Sequence, residues 1–149
     1  MPFQPQVDQE LVVGDVAYRV AEHPAAPGIP YGQEGRQAIV YQLVSFSPAQ
    51  EEDRGGDLKA QALKVFKPRY RLPEMVSIAR HIAPYSEMPG LEVCRRTVLT
   101  PRQHAPLLRR YPDLTYGVLM PWVEGPTWMQ VLGRSARCRP RRASTWPAR

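Results

Sequence analysis

Cysteine, histidine and long apolar runs are scarce in this sequence of 149 residues. The two cysteines, Cys94 and Cys138, cannot by themselves form a disulfide framework or a zinc cage. The three histidines are isolated from one another, so we expect no metal site. No apolar run approaches the ~20 residues that cross a bilayer, and no basic start followed by an apolar segment marks a secretory signal. We therefore expect no membrane span and interpret the protein as cytoplasmic.

Acidic residues are missing from the last part of the chain, and this decides how the net charge of +6 is interpreted. All 14 acidic residues lie between Asp8 and Glu124, and 14 of the 20 lysines and arginines lie in the same stretch. The excess positive charge therefore falls on residues 133–149, which we expect to be disordered. Three interpretations of this tail stay open: a solvated arm, a polybasic contact for nucleic acid or anionic lipid, and a segment read out of frame.

The hydrophobic content of 43% predicts one compact domain, and the 17 prolines argue against a helical bundle. Residues 1–13 are interpreted as a loose leader and residues 14–132 as the domain itself. Runs of β-forming residues bounded by Gly or Pro predict five strands: Val16–Val20, Ala38–Phe46, Lys59–Lys67, Leu91–Leu99 and Thr115–Val123. Residues 47–57 are interpreted as a hairpin connection and residues 101–113 as a basic loop with room for one helical turn.

One packed helix is predicted between the third and fourth of these strands. The apolar residues after Pro73 recur at helical spacing, at Met75, Ile78, Ala79 and Ile82. Pro73 suits the first helical position, and Pro84 closes the helix by about Ala83. A short terminal helix is predicted at Trp128–Leu132. Closely spaced strands interrupted by one helix predict an α+β fold, a twisted antiparallel β-sheet with a single packed helix.

Three short motifs carry the functional information, and each also has an ordinary structural interpretation. Residues 32–41 (GQEGRQAIVY) form a glycine-containing turn, which alone is an ordinary hairpin. Residues 62–66 (ALKVF) place Ala62, Lys64 and Phe66 on one strand face, where the Lys64 ammonium either reaches the sheet edge or meets an anion. Residues 116–125 (YGVLMPWVEG) form a strand that contains a Met-Pro pair near its end.

In this order and spacing, the three motifs resemble the small, N-terminal lobe of a protein kinase-like domain, and the resemblance covers residues 14–132. The Met120-Pro121 pair is similar to bacterial relatives of the eukaryotic-type Ser/Thr protein kinases. The resemblance implies that the chain binds ATP. It also implies that the parent activity is phosphoryl transfer from ATP to protein hydroxyls.

The resemblance assigns ATP contacts to residues of all three motifs. Gly32, Gly35 and Ala38 would cover the phosphates, with Ala38 standing where the family has its third glycine. Lys64 would orient the α- and β-phosphates with Glu74 as its carboxylate partner, although Glu74 also suits the helix N-terminus for electrostatic reasons. The adenine and ribose contacts fall on Val40, Ala62, Met120, Pro121, Val123 and Thr127. Thr127 has the alternative role of a helix N-cap.

A protein kinase also needs a large lobe, and its motifs do not follow in this sequence. No His-Arg-Asp-like or Asp-x-Gly-like sequence comes after Val123, so we expect a chain truncated or frame-shifted near Leu132 and inactive as it stands. Magnesium would need that large lobe, and the open face that docks the lobe or a partner protein should expose an apolar patch. The alternative function is a non-catalytic, β-rich binding module whose polybasic tail contacts nucleic acid or another polyanion.

Overall fold

An antiparallel β-sheet organises the protein, and the computed structural model describes residues 3–46, 60–125 and 131–132. The strands of these residues are β1 (Glu10–Val13), β2 (Val16–Val20), β3 (Glu22–His23), β4 (Ala26–Pro30), β5 (Gly32–Glu34), β6 (Ala38–Phe46), β7 (Ala60–Phe66), β8 (Thr97–Val98) and β9 (Val118–Pro121). The α-helices are α1 (Met75–Ile82) and α2 (Ala105–Arg110). Short 3₁₀ turns lie at Pro68–Tyr70, Ala83–Glu87, Glu92–Cys94 and Pro112–Leu114.

The main sheet has the strand order β1-β2-β6-β7-β9-β8, and β3 and β4 form a separate small hairpin. Strand β6 is long enough to pair twice along one edge. Its first half pairs with β5 and its second half with β2, so the sheet curls around this strand. β-Branched and aromatic residues dominate β6, and such side chains pack well on a pleated surface.

The two faces of the sheet carry different side chains. The covered face is mainly apolar, and its strand residues Leu11, Val20, Leu43 and Leu63 are almost fully buried, as are Leu99 and Leu114, which join the same core from outside the strands. Residues from outside the sheet close this core, among them Phe3 and the α2 residues Leu107 and Leu108. On the opposite face, α1 packs through Ala79 against Phe66 and Val98. We call this second side the groove face, and it includes Ala38, Val40, Ala62, Lys64, Phe66, Val118 and Met120.

The α+β fold with a curled antiparallel sheet is confirmed. Two predicted strands are observed with the same bounds, Val16–Val20 and Ala38–Phe46, and a third is shorter by one residue at each end, Ala60–Phe66. Helix α1 ends where predicted but begins at Met75, because Pro73 belongs to the turn before it. The predicted apolar stripe of this helix is wrong at Ile78, which is 43% exposed, since Val76 packs toward the sheet instead.

Other expectations need correction. The segment expected to be a loose leader contributes strand β1 and the buried residues Phe3, Leu11 and Val13. Instead of one packed helix, the described residues contain α1 and α2. The strand expected at Leu91–Leu99 is reduced to Thr97–Val98, because the residues before it form a 3₁₀ turn. The strand expected at Thr115–Val123 is reduced to Val118–Pro121.

Several predictions fall on residues outside the described ranges. These are the connection at residues 47–57, Thr127, the greater part of the helix at Trp128–Leu132, and the tail at residues 133–149. Of the terminal helix, the described residues 131–132 are helical. Within the described residues, no helix is both long enough and apolar enough to span a membrane.

Candidate functional site

A groove of about 450 Å³ opens on the groove face where the turn between β5 and β6 meets β7. Its volume lies within the range of about 300–1,000 Å³ that is typical of small-molecule sites. The lining residues come almost entirely from the first sequence motif: Gln33, Glu34, Gly35, Arg36, Gln37, Ala38, Val40 and Lys64. The structure therefore brings the glycine-containing turn and the strand lysine together around one open cavity.

The turn between β5 and β6 covers the groove, and hydrogen bonds hold this turn to β6 and to the residue after β7. The Gly35 N–H donates to the Ala38 C=O (2.8 Å), and the Lys67 N–H donates to the Gln37 C=O (2.9 Å). The Lys67 ammonium also pairs with the Glu34 carboxylate at 2.6 Å. Glu34 is the acidic residue of the groove lining, so this ion pair offsets the negative charge that would repel an anion.

Gly32 has a packing role that the sequence motif did not predict. It lies opposite Tyr41, and a Cβ at this position would come within 2.8 Å of the Tyr41 ring. A Cβ at Gly35 would meet only the Ala38 carbonyl oxygen, at 3.4 Å. Burial raises the pKa of the Tyr41 phenol, and the Glu34 carboxylate adds to the rise. Gly35 and Ala38 therefore border the groove, whereas Gly32 allows Tyr41 to pack into the covered face.

Lys64 lies half-buried in the middle of the groove face. It is opposite Val40 on one neighbouring strand and Val118 on the other. Its ammonium lies 5.0 Å from the centre of the Phe66 ring, which is within the range of a cation–π contact. Among the described residues, no carboxylate forms an ion pair with this ammonium. Partial burial of a charged group costs free energy when no opposite charge compensates it.

Glu74 is not brought to Lys64. It is exposed and precedes the first residue of α1, where its carbonyl accepts bonds from the Ile78 N–H (3.0 Å) and the Ser77 hydroxyl (2.8 Å). Within the described part of the chain, no salt bridge links Glu74 to Lys64. Glu74 lies at the N-terminal end of α1, where it is exposed to solvent. The electrostatic role at the helix N-terminus is the one that fits this position.

The residues expected to contact adenine continue along the groove face from Lys64. Ala62 is opposite Met120, and Val40 is opposite Lys64, so all four share one face. Ala62 is 3% exposed, and Met120 packs at the edge of the cluster that holds α1. These residues form an apolar surface beside the charged groove, although Ala62 and Met120 do not line the cavity itself.

Pro121 and Val123 lie where β9 leaves the sheet. The Trp122 N–H donates to the Ala60 C=O at 3.1 Å. Because hydrogen-bonded and non-bonded pairs alternate in an antiparallel ladder, the Pro121 carbonyl on the adjacent position turns away from β7. A proline is tolerated there, since no ladder N–H is required. Val123 is 67% exposed.

Three features of the site escaped sequence reasoning. Arg36 lines the groove, and its only sequence signal is its place within the glycine-containing turn. The Glu34–Lys67 ion pair depends on a strand pairing that no local pattern reveals. Gly117 allows β9 to approach β7 closely, because a Cβ there would lie 3.2 Å from the Lys64 carbonyl oxygen and 2.9 Å from that of Leu114.

Two cavities larger than the groove, of about 770 and 540 Å³, lie elsewhere in the described residues and are not lined by Lys64. In the described ranges, no group of three or more His, Cys, Asp or Glu side chains is placed to hold a metal ion. No protein-family model matches the chain, and neither a curated protein nor a solved structure is significantly similar to it.

Proposed function

We propose that this chain binds ATP on the groove face, as the nucleotide-binding small lobe of a kinase-like domain. The observation that carries the proposal is the half-buried Lys64 ammonium, which faces an open groove without a carboxylate partner among the described residues. A charge at an apolar strand position costs free energy unless an opposite charge compensates it. A phosphate chain would supply the missing negative charge.

Each part of the groove face has a role in this proposal. Lys64 binds phosphate oxygens, and the turn that contains Gly35 and Ala38 covers them. The surface formed by Val40, Ala62 and Met120 packs against the adenine ring. The Pro121 carbonyl, which is turned away from β7, accepts a hydrogen bond from the adenine amino group. Glu74 has no part in binding.

The proposal concerns nucleotide binding. Transfer of a phosphoryl group to a protein hydroxyl would need the catalytic base and the magnesium-binding carboxylate that the resemblance assigns to a large lobe. Exposed apolar side chains around α1, among them Leu72, Ile78, Tyr85 and Met88, support a docked lobe or partner protein as well.

The experiment is an ATP titration of the full chain by calorimetry at low salt, with adenosine as a second ligand. Lys64→Met keeps an unbranched side chain over Phe66 and removes the charge, so ATP binding should fall at least about tenfold while adenosine binding changes little. Arg102→Gln is the matched control, because it also removes one positive charge, and Arg102 is exposed in a turn before α2 and does not line the groove. Equal ATP affinity in wild type and Lys64→Met would refute the proposal.

A further inference from the structure

The groove carries a second cation that the sequence motifs do not assign. Arg36 lies at the tip of the turn between β5 and β6 and lines the same cavity as Lys64. Its side chain is exposed, and no ion pair or hydrogen bond holds it within the described residues. Unlike Lys67, which is bound to Glu34, it remains available for a ligand.

The charge of the lining follows from these contacts. Three charged groups besides Lys64 stand at or beside the groove: Glu34, Lys67 and Arg36. Glu34 and Lys67 offset each other at 2.6 Å, so the net positive charge comes from Lys64 and Arg36. One of these cations is fixed on a central strand and the other stands on the turn above it. An anion with several charged groups can contact Lys64 and Arg36 at the same time. A single phosphate contacts one of these two cations more easily than both.

The turn also has less backbone to offer than a turn rich in glycine. The donor that matters for phosphate oxygens is the backbone N–H, and the Gly35 N–H already donates to the carbonyl of the buried Ala38 at 2.8 Å. The Gln37 carbonyl accepts the Lys67 N–H, which fixes the turn further. A guanidinium, which presents several N–H donors in one plane, is well suited to bind phosphate oxygens in place of further backbone amides.

We propose that Arg36 is a second phosphate-binding residue, which acts with Lys64 to select ligands that carry a chain of two or more phosphates. This inference rests on the proposed function and deepens it. It predicts that affinity rises from AMP to ADP to ATP. Inorganic tripolyphosphate, which has no adenine, should bind through the same two side chains.

The test uses the full chain with inorganic tripolyphosphate, ATP and adenosine, and compares Arg36→Gln with Arg102→Gln and Lys64→Met. Arg36→Gln removes one charged hydrogen-bonding partner at an exposed site, so it should weaken the binding of tripolyphosphate and of ATP about tenfold. Arg102→Gln should bind both ligands as tightly as the wild type does. Adenosine binding should be the same in all variants. Raised salt should reduce the difference between wild type and Arg36→Gln, because the contact is exposed.

The outcomes separate this inference from the proposed function. If Lys64→Met loses affinity for ATP while Arg36→Gln binds ATP and tripolyphosphate as tightly as Arg102→Gln does, the role of Arg36 is refuted and the proposed ATP site is retained. If the wild type binds tripolyphosphate through both cations but gives ATP no additional affinity, Arg36 is supported and the adenine site is refuted. If the wild type binds neither ligand, both proposals fail.

Discussion

Leu63 and Lys64 are neighbours on β7, and they show how differently the two faces of one sheet are used. Leu63 has no exposed surface and lies in a core that also holds Leu43, Leu99 and Leu114. Lys64 points to the other side, into a groove roofed by a turn. A strand turns successive side chains to opposite faces, so a single run of residues can supply packing on one side and ligand contacts on the other. The covered face should therefore govern stability and the groove face binding.

The largest expected effect is on the covered face. Leu63→Ala should lower the free energy of unfolding by about 2–5 kcal/mol, because it removes a fully buried side chain and leaves a cavity. Lys64→Met should leave this free energy unchanged or raise it slightly, since a half-buried charge is replaced by an apolar chain. Urea denaturation of both variants makes the comparison. A larger loss in Lys64→Met than in Leu63→Ala would contradict the division between the faces.

Gly117 links the two faces, because it stands where β9 approaches the backbone of Lys64. A Cβ there meets the carbonyl oxygens of Leu114 and Lys64, which are backbone atoms and cannot rotate away. Gly117→Ala should cost about 1–3 kcal/mol in thermal or urea unfolding and weaken ATP binding as well. Gly35→Ala is the control, since its Cβ meets one atom at 3.4 Å and its stability should stay within about 0.5 kcal/mol of the wild type. Equal stability of the two variants would show that β9 can shift freely.

The smallest effect on stability is expected at the Glu34–Lys67 pair, which is largely exposed and worth at most about 1 kcal/mol. Its effect on binding should have opposite signs for the two partners. Glu34→Gln removes the negative charge of the groove and should tighten ATP binding about twofold to fivefold, whereas Lys67→Met leaves Glu34 unpaired and should weaken it by a similar factor. Calorimetry at low and high salt measures the ATP affinity of both variants. A change of the same sign in the two variants would exclude an electrostatic role.

Sequence patterns predicted the parts of the fold that depend on local periodicity. A run of β-forming residues located β6, alternation placed Ala62, Lys64 and Phe66 on one face, and helical spacing located α1. The rest depends on contacts between distant segments. The polar first residues gave no sign that Phe3 packs into the core, and the basic loop at residues 101–113 gave only a hint of α2.

The same limit applies to the candidate site. The motifs identified Lys64, Gly35 and Ala38, and the structure places all three around one groove. Glu74 was predicted to pair with Lys64 because it is the only acidic residue that the sequence offers in this helix. Whether it can do so depends on where the helix begins, and α1 begins at Met75, one residue after Glu74. Arg36 and the Glu34–Lys67 pair were missed, because their importance comes from the pairing of β5, β6 and β7.

The way the covered face closes has a consequence for how the chain acquires its structure. Phe3 packs on Tyr111 with ring centres 5.4 Å apart, and the Gln9 amide donates to the Tyr111 hydroxyl across 102 positions of sequence. Contacts at such separation form late, because a long loop must be ordered before they contribute. During synthesis, Leu11 and Val20 must wait for residues near Leu114 to emerge. Until then the growing chain presents an apolar sheet face to the solvent, and in this interval a chaperone would benefit it most.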